Sequence, residues 1–341
     1  MIDILKTFTH LQSMARPSGF ESPCAQAIAE LAGPYCDEVK IDTLGNVICR
    51  KKGPGKRLMM AAHMDVIGLI ITHIDKKGFL RFGALGGFVP YRLIGARMKL
   101  ENGMGGSVWC DEKAMEEKKL EDITLGDLYL DIGASSREEA LSMVPLGTCG
   151  AFVGPPERFG EGLFKAKAID DRIGCAIMLS LLKEELPMDV TFAFTAQEEV
   201  GTRGAFAAAF SVKPDIALVL ETTTAADLPG VEDHRKVCAP GKGPVISYMD
   251  GATIYDRGLF RTLTRLAEEH DVPWQTKEYI AGGNDARTIQ RSRAGVRVAA
   301  MSAAVRYLHA PASVANVEDM ENMLRLTRLF LEEMARDGAE R

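Results

Sequence analysis

Residues 190–201 read Val-Thr-Phe-Ala-Phe-Thr-Ala-Gln-Glu-Glu-Val-Gly. The run Val190 to Phe194 has the length and apolar character of a buried strand, and Gly201 is a place where a helix can begin. The acidic pair Glu198-Glu199 therefore falls at the carboxyl end of a central strand, where open α/β sheets place their ligands. Consecutive side chains at such an edge point in different directions, so one carboxylate can bind a metal while the other handles protons. On a solvated helix an acidic pair carries no such meaning. This one lies in low-charge surroundings.

Working outward, the strand-like Arg57 to Met60 leads into Ala61-Ala62-His63-Met64-Asp65-Val66-Ile67-Gly68. Residues two apart in an extended segment share a face, so Asp65 can approach the His63 ring, as a carboxylate does when it orients a metal-bound imidazole. A satisfied core histidine gives the same His-x-Asp pattern. Ala168-Ile169-Asp170-Asp171-Arg172-Ile173-Gly174 places a second acidic pair at the start of an apolar helix, Cys175 to Leu182. There each carboxylate is either a helix cap favoured by the dipole or a ligand. Glu221 ends the apolar run Ile216 to Leu220 and opens a Thr-rich segment, and His309 stands in Arg306-Tyr307-Leu308-His309-Ala310-Pro311. Two histidines with several carboxylates and no thiolate suit zinc, cobalt or manganese. The donors are too many for one tetrahedral ion and enough for two ions sharing a carboxylate about 3.5–4 Å apart.

These segments, in this order, resemble the tetrahedral (TET) di-metal aminopeptidases, whose members carry the names glutamyl aminopeptidase, deblocking aminopeptidase or cellulase. The resemblance runs over nearly the whole chain. It includes His63-Met64-Asp65, Asp170-Asp171-Arg172, Gln197-Glu198-Glu199-Val200-Gly201, Gly282-Gly283-Asn284-Asp285-Ala286 and the His309 motif. It implies that His63, Asp170 and Glu221 hold one divalent ion and that Asp170, Glu199 and His309 hold the other. Asp170 would be shared, Glu198 would be the general base, and Asp65 the residue that orients His63. Many members carry Asp where this chain has Glu221. The implied activity is removal of N-terminal residues from peptides with two ions, zinc or cobalt, per subunit. The alternatives are a metal-dependent amidase acting on N-acyl amino acids and, further off, an endoglucanase. Assembly into dimers and dodecamers is implied as well.

Composition agrees with an enzyme of that kind. The 341 residues, 46% hydrophobic, suffice for one α/β domain with an insertion. A formal net charge of −6 argues against nucleic acid as a partner. The chain starts without an apolar signal core in Met1 to His10, and no stretch is long enough to span a membrane. Seven scattered cysteines without a Cys-x-x-Cys pair give no disulfide framework, so the expected compartment is the cytoplasm.

The expected fold is α/β, a mixed central sheet with helices on both faces, interrupted by a small β-barrel-like insert. Helices are predicted at about Asp3 to Met14 and Glu21 to Ala32, ending at Gly33-Pro34. From residue 66 to 162 the pattern changes to short apolar runs broken by Gly83, Gly86, Gly87, Gly103, Gly105 and Gly106. Residues 1–65 and 163–341 then form a divided catalytic domain, and 66–162 an inserted dimerisation or assembly domain. Within the insert, Phe88 to Tyr91 is either a contact patch or ordinary core. The stripe Met320, Met323, Leu324, Thr327, Leu331 and Met334 predicts a closing helix packed on the core.

Overall fold

The strand before the acidic pair, Val190–Thr195, lies inside a mixed seven-stranded sheet. Across the sheet the order is Val245–Ile246, Arg297–Val305, Ile216–Thr224, Leu58–His63, Val190–Thr195, Val47–Lys51 and Glu38–Ile41. Neighbours from Arg297–Val305 to Val190–Thr195 run parallel, and the outer strands pair antiparallel. The computed structural model describes residues 4–14 and 16–339. The first helix is Ile4–Ser13, and its predicted start at Asp3 lies outside the described residues.

The two faces of this sheet are unequal because strand side chains alternate. Leu58, Met60, Val190, Phe192, Phe194, Leu218, Leu220 and Met301 point their bulk to one face, where the helix Ile169–Leu182 packs. That helix is buried all round except at Asp170, as a helix inside a core should be. Val317–Ala339 covers it, with the predicted Met320-to-Met334 stripe buried. The opposite face is lined by small residues, among them Ala61, Ala193, Ala217 and Ala300. Against it the helix Arg203–Val212 presents Gly204, Ala205, Ala208 and Ala209, so it can approach the sheet closely. At Gly204 that approach excludes any side chain: a Cβ would fall 2.2 Å from both the Ala196 carbonyl and Asn46 Oδ1. The close contact fixes the short loop that carries the acidic pair.

Between Leu58–His63 and Ile169–Leu182 the chain forms a closed six-stranded barrel. Its strands are Gly68–Ile74, Leu80–Leu85, Arg97–Leu100, Gly105–Cys110, Leu128–Asp131 and Cys149–Phe152, around a separate core that includes Leu69, Ile71, Phe82, Val108 and Leu130. Phe88 and Tyr91 pack against that core, Phe88 edge-on to Phe152 at 6.5 Å, while Val89 is exposed. Half of the predicted Phe88-to-Tyr91 patch, Phe88 and Tyr91, is thus barrel core. Beyond the barrel, Glu157–Phe159 pairs with Leu163–Ala166, which in turn pairs with Ser313–Asn316. All seven cysteines are free. Among the described residues no helix is long and apolar enough to cross a membrane.

Candidate active site

Four parallel strands deliver the candidate residues to one edge. His63 is the last residue of Leu58–His63, and Glu198 and Glu199 follow Val190–Thr195. Glu221 lies in Ile216–Thr224, and His309 follows Arg297–Val305. Leu58–His63 sits between Val190–Thr195 and Ile216–Thr224, which succeed each other in the chain, so the strand order reverses at His63. That switch point is where an open α/β sheet leaves a crevice. The strand through Glu221 runs four residues further than its apolar run implied, because Thr222 and Thr223 are β-branched and buried and stay paired to Ala303 and Ala304.

Two triads of donors meet at Asp170. His63 Nε2 lies 3.2 Å from Asp170 Oδ1 and 3.5 Å from Glu221 Oε1. His309 Nε2 lies 3.2 Å from Asp170 Oδ2 and 3.3 Å from Glu199 Oε2. Within each triad the donor atoms are all within 4.8 Å of one another. The tautomer of His63 makes this arrangement telling. Its Nδ1 is 3.1 Å from the Asp65 carbonyl oxygen, which can only accept, so Nδ1 carries a proton. In the neutral ring Nε2 is then a bare lone pair facing two carboxylate oxygens. Only a cation placed among them, a proton or a metal ion, removes that repulsion. The donor set, nitrogen and oxygen without sulfur, fits two divalent ions.

The electrostatics follow from the same crowding. Burial opposes charge on His63, but Glu221, Asp170 and Asp65 outweigh it and raise its pKa well above the ordinary value. Burial likewise opposes charge on His309, and Asp170 and Glu199 carry it up to about 9. Burial pushes Glu199 up to about 7 and Glu221 up to about 8, with Asp170 adding to both and the histidines resisting. Burial also raises Glu198, assisted by Asp285, Glu221 and Glu199. Asp170 goes the other way: despite burial, His309 and His63 hold it well below the usual carboxylate range. The cluster therefore holds protons in place of a stronger cation.

The two adjacent acids 170 and 171 part company. Both have non-helical backbone angles at the start of Ile169–Leu182, after Ala168 in the left-handed region at φ 55°. Asp170 faces the histidines and accepts the Thr222 hydroxyl at 2.7 Å. Asp171 turns inward, fully buried, and its Oδ1 accepts the Gly174 N–H at 3.0 Å. Capping explains Asp171 and not Asp170. Gln197 and His309 also have positive φ, 57° each, so three non-glycine residues beside the donors occupy a sparsely populated region, as functional sites often do.

Asp65 does more than its spacing implied. Its Oδ1 is 3.5 Å from His63 Nδ1, and its two oxygens accept the backbone N–H groups of Glu198 and Glu199 at 3.0 and 3.1 Å. Ser18 donates a third bond to it at 2.6 Å. One buried carboxylate thus ties the His63 strand to the acidic-pair loop. Several supporting contacts carried no signal in the sequence: the Thr222 hydroxyl on Asp170, Ser18 on Asp65, and Glu21, which accepts the Gln197 N–H at 2.9 Å. The close approach at Gly86 of the barrel, at φ 93°, is another, since a Cβ there would lie 2.7 Å from Ile67 Cγ2 and 3.2 Å from Glu199 Cβ. Asp285 stands behind the site, buried, with Oδ2 accepting the Thr195 hydroxyl at 2.5 Å.

Residues 45–326 match the family described as M42 glutamyl aminopeptidase. The chain belongs to this family. M42 members are metal-dependent peptidases, and this one is a peptide-bond hydrolase of the aminopeptidase type. Lysyl aminopeptidase of Pyrococcus furiosus is 33% identical over 318 residues, 90% of each chain. Aminopeptidase APDkam598 of Desulfurococcus kamchatkensis has the same fold at a TM-score of 0.92, with 33% identity over 98% of this chain and 97% of its own. The TET1 peptidase of Pyrococcus horikoshii, which assembles into a tetrahedron or a large octahedral shell, matches at 0.85 with 29% identity over 96% and 99% of the two chains. The resemblance to TET aminopeptidases read from the motifs holds along the length of this M42 chain.

Proposed function

We propose that this M42 peptidase removes N-terminal residues from peptides with two divalent ions, one held by His63, Asp170 and Glu221, the other by Asp170, Glu199 and His309. The observation that carries this reading is the meeting of two donor triads at one carboxylate, Asp170, with the donor atoms of each triad within 4.8 Å. Zinc or cobalt suits such a set. When bound, the ions supply Lewis-acid polarisation of the scissile carbonyl and an acidified water.

The protein's own residues do the rest. Glu198 is the general base: the residue is half-buried at the site, and among the described residues its side chain makes no hydrogen bond that would occupy it structurally. It takes the proton of the attacking water and returns it to the leaving amine. Asp65 keeps the His63 ring in one tautomer's orientation and holds the Glu198-Glu199 backbone, so base and ligand stay at fixed positions. Thr222 fixes Asp170 and, through its N–H to Glu221 Oε1 at 3.0 Å, also steadies the longer side chain that stands where many family members have Asp.

Residues 1–65 and 163–341 act as the catalytic domain in this reading, and 66–162 as the barrel through which copies associate, from dimer to dodecamer. The large assemblies of TET relatives support that part. Light scattering should give a mass well above the 37.1 kDa of one chain. The activity itself is tested with a panel. Short peptides with free N-termini should be trimmed one residue at a time, and their N-acetylated forms should be nearly inert. Faster turnover of N-acyl amino acids would favour the amidase, and sugar release from soluble cellulose lost in Glu198→Gln would favour the endoglucanase.

A further inference from the structure

A cleft opens beside Asp170, Glu199 and His309, and Lys167 lines it together with the apolar Ile67 and Phe152. Phe152 belongs to the barrel, so the cleft is walled by both parts of the molecule. Lys167 is half-buried, and among the described residues its ammonium has no hydrogen-bond or ion-pair partner. Burial works against its charge first, and the nearby Arg172, Arg16 and Lys99 add to that, bringing it down to about 8. It nevertheless stays mostly protonated at neutral pH. The carboxylates that share the cleft, Asp170 and Glu199, are engaged with the histidines.

A desolvated ammonium among other cations is an expensive arrangement unless something anionic comes to it. Two cations that are more exposed, Arg306 and Arg50, are ion-paired with Asp227 and Asp189, and the buried Lys277 donates to the Ala281 carbonyl. Lys167 differs from these in having no ion-pair or hydrogen-bond partner among the described residues while lining the cleft beside Asp170, Glu199 and His309. A peptide substrate brings carboxylates of two kinds, the C-terminus of a short chain and acidic side chains. Either can give Lys167 the charge-assisted bond it lacks.

We propose that Lys167 is a specificity-determining residue that receives a carboxylate of the peptide substrate; this rests on the aminopeptidase reading above. The apolar wall of Ile67 and Phe152 keeps water from competing for the pair, and Arg172, Arg16 and Lys99 add long-range attraction for an anion.

The test compares the metal-loaded enzyme with Lys167→Met and Lys167→Arg on four substrates. These are a leucyl dipeptide with a free C-terminus, the same dipeptide amidated, glutamic acid α-amide and leucine amide. The readout is the kcat/KM ratio of each carboxylate-bearing substrate to its uncharged counterpart. In Lys167→Met one of the two ratios should fall about tenfold or more, chiefly through KM, and Lys167→Arg should restore most of it. A fall in the dipeptide ratio assigns the C-terminal carboxylate, and a fall in the glutamic amide ratio assigns an acidic side chain. A structural role for Lys167 would lower all four substrates together and leave both ratios unchanged, which overturns the proposal. Failure of the wild-type enzyme to cleave any of the four would instead overturn the aminopeptidase reading, and this proposal with it.

Discussion

Asp170–Asp171 and Glu198–Glu199 are both adjacent acidic pairs at the same edge of the same sheet, but their backbones make opposite demands on them. The aspartate pair opens a buried helix whose first N–H groups need acceptors, and Asp171 is spent on that task through Gly174. Only Asp170 is left for chemistry. The glutamate pair sits on a loop whose exposed N–H groups are satisfied from outside, by Asp65. Both glutamate side chains are therefore left to the site, where the proposed reading assigns one to a metal and the other to a proton. How many carboxylates of a pair reach the site depends on who satisfies the local backbone.

The sharpest break in this comparison is Asp170→Asn. Losing the carboxylate shared by both triads should remove both ions, with metal content near zero by elemental analysis and activity at the background rate. Two ions retained per chain would contradict the shared-ligand reading.

The glutamate pair should split by role. Glu198→Gln should keep both ions and lower kcat by about 10²–10⁴, because proton transfer alone is lost. Glu199→Gln should weaken one ion selectively. Loss of metal in the first variant and retention in the second would exchange the two roles.

Proton binding by the metal-free cluster gives a third test. Glu199 at about 7 and Glu221 at about 8 stand above their ordinary 4.5, and His309 at about 9 stands above 6.5. Each binds its proton more tightly folded than unfolded. Its contribution is therefore complete below the ordinary value and is lost as pH rises through the folded one. With chelator present, Tm should fall by several degrees from about pH 5 to 9, and saturating zinc should flatten the decline by replacing the protons. Parallel curves with and without metal would mean the cluster is not the titrating element.

Much of this was legible from residue order because the donors stand at the ends of apolar runs. His63, Glu199 and His309 mark strand ends that hydrophobic pattern locates well. The sheet, the barrel and the closing helix follow from the same periodicities. Asp65 was readable as a neighbour of His63, but its bonds to Glu198 and Glu199 join residues 133 and 134 positions apart, which local spacing cannot encode. The contacts of Thr222, Ser18, Glu21 and Gly86 are silent for the same reason: each residue reaches the site only through tertiary packing. Local spacing alone did not separate Asp170 from Asp171, because both occupy helix-start positions; the family resemblance singled out Asp170. Only the backbone turn after Ala168 decides which one faces inward.

The smallest expected effect sharpens that distinction most. Burial, with Glu221 and Asp170 adding to it, raises Asp171 well above the ordinary carboxylate range, which favours its neutral form. Asparagine reproduces a neutral side chain of nearly the same shape and keeps the oxygen that accepts the Gly174 N–H. Asp171→Asn should therefore retain both ions, keep activity within a fewfold of the parent, and shift Tm by only ~2 °C. Asp171→Ala removes the cap as well and should cost about 1–2 kcal/mol more, since the Gly174 N–H is left without its acceptor. Set beside Asp170→Asn, the same substitution one residue away would then spare everything the first destroys. Loss of metal in Asp171→Asn would show instead that this buried carboxyl is ionised and acts on the ions through space, and the division of labour within the aspartate pair would have to be abandoned.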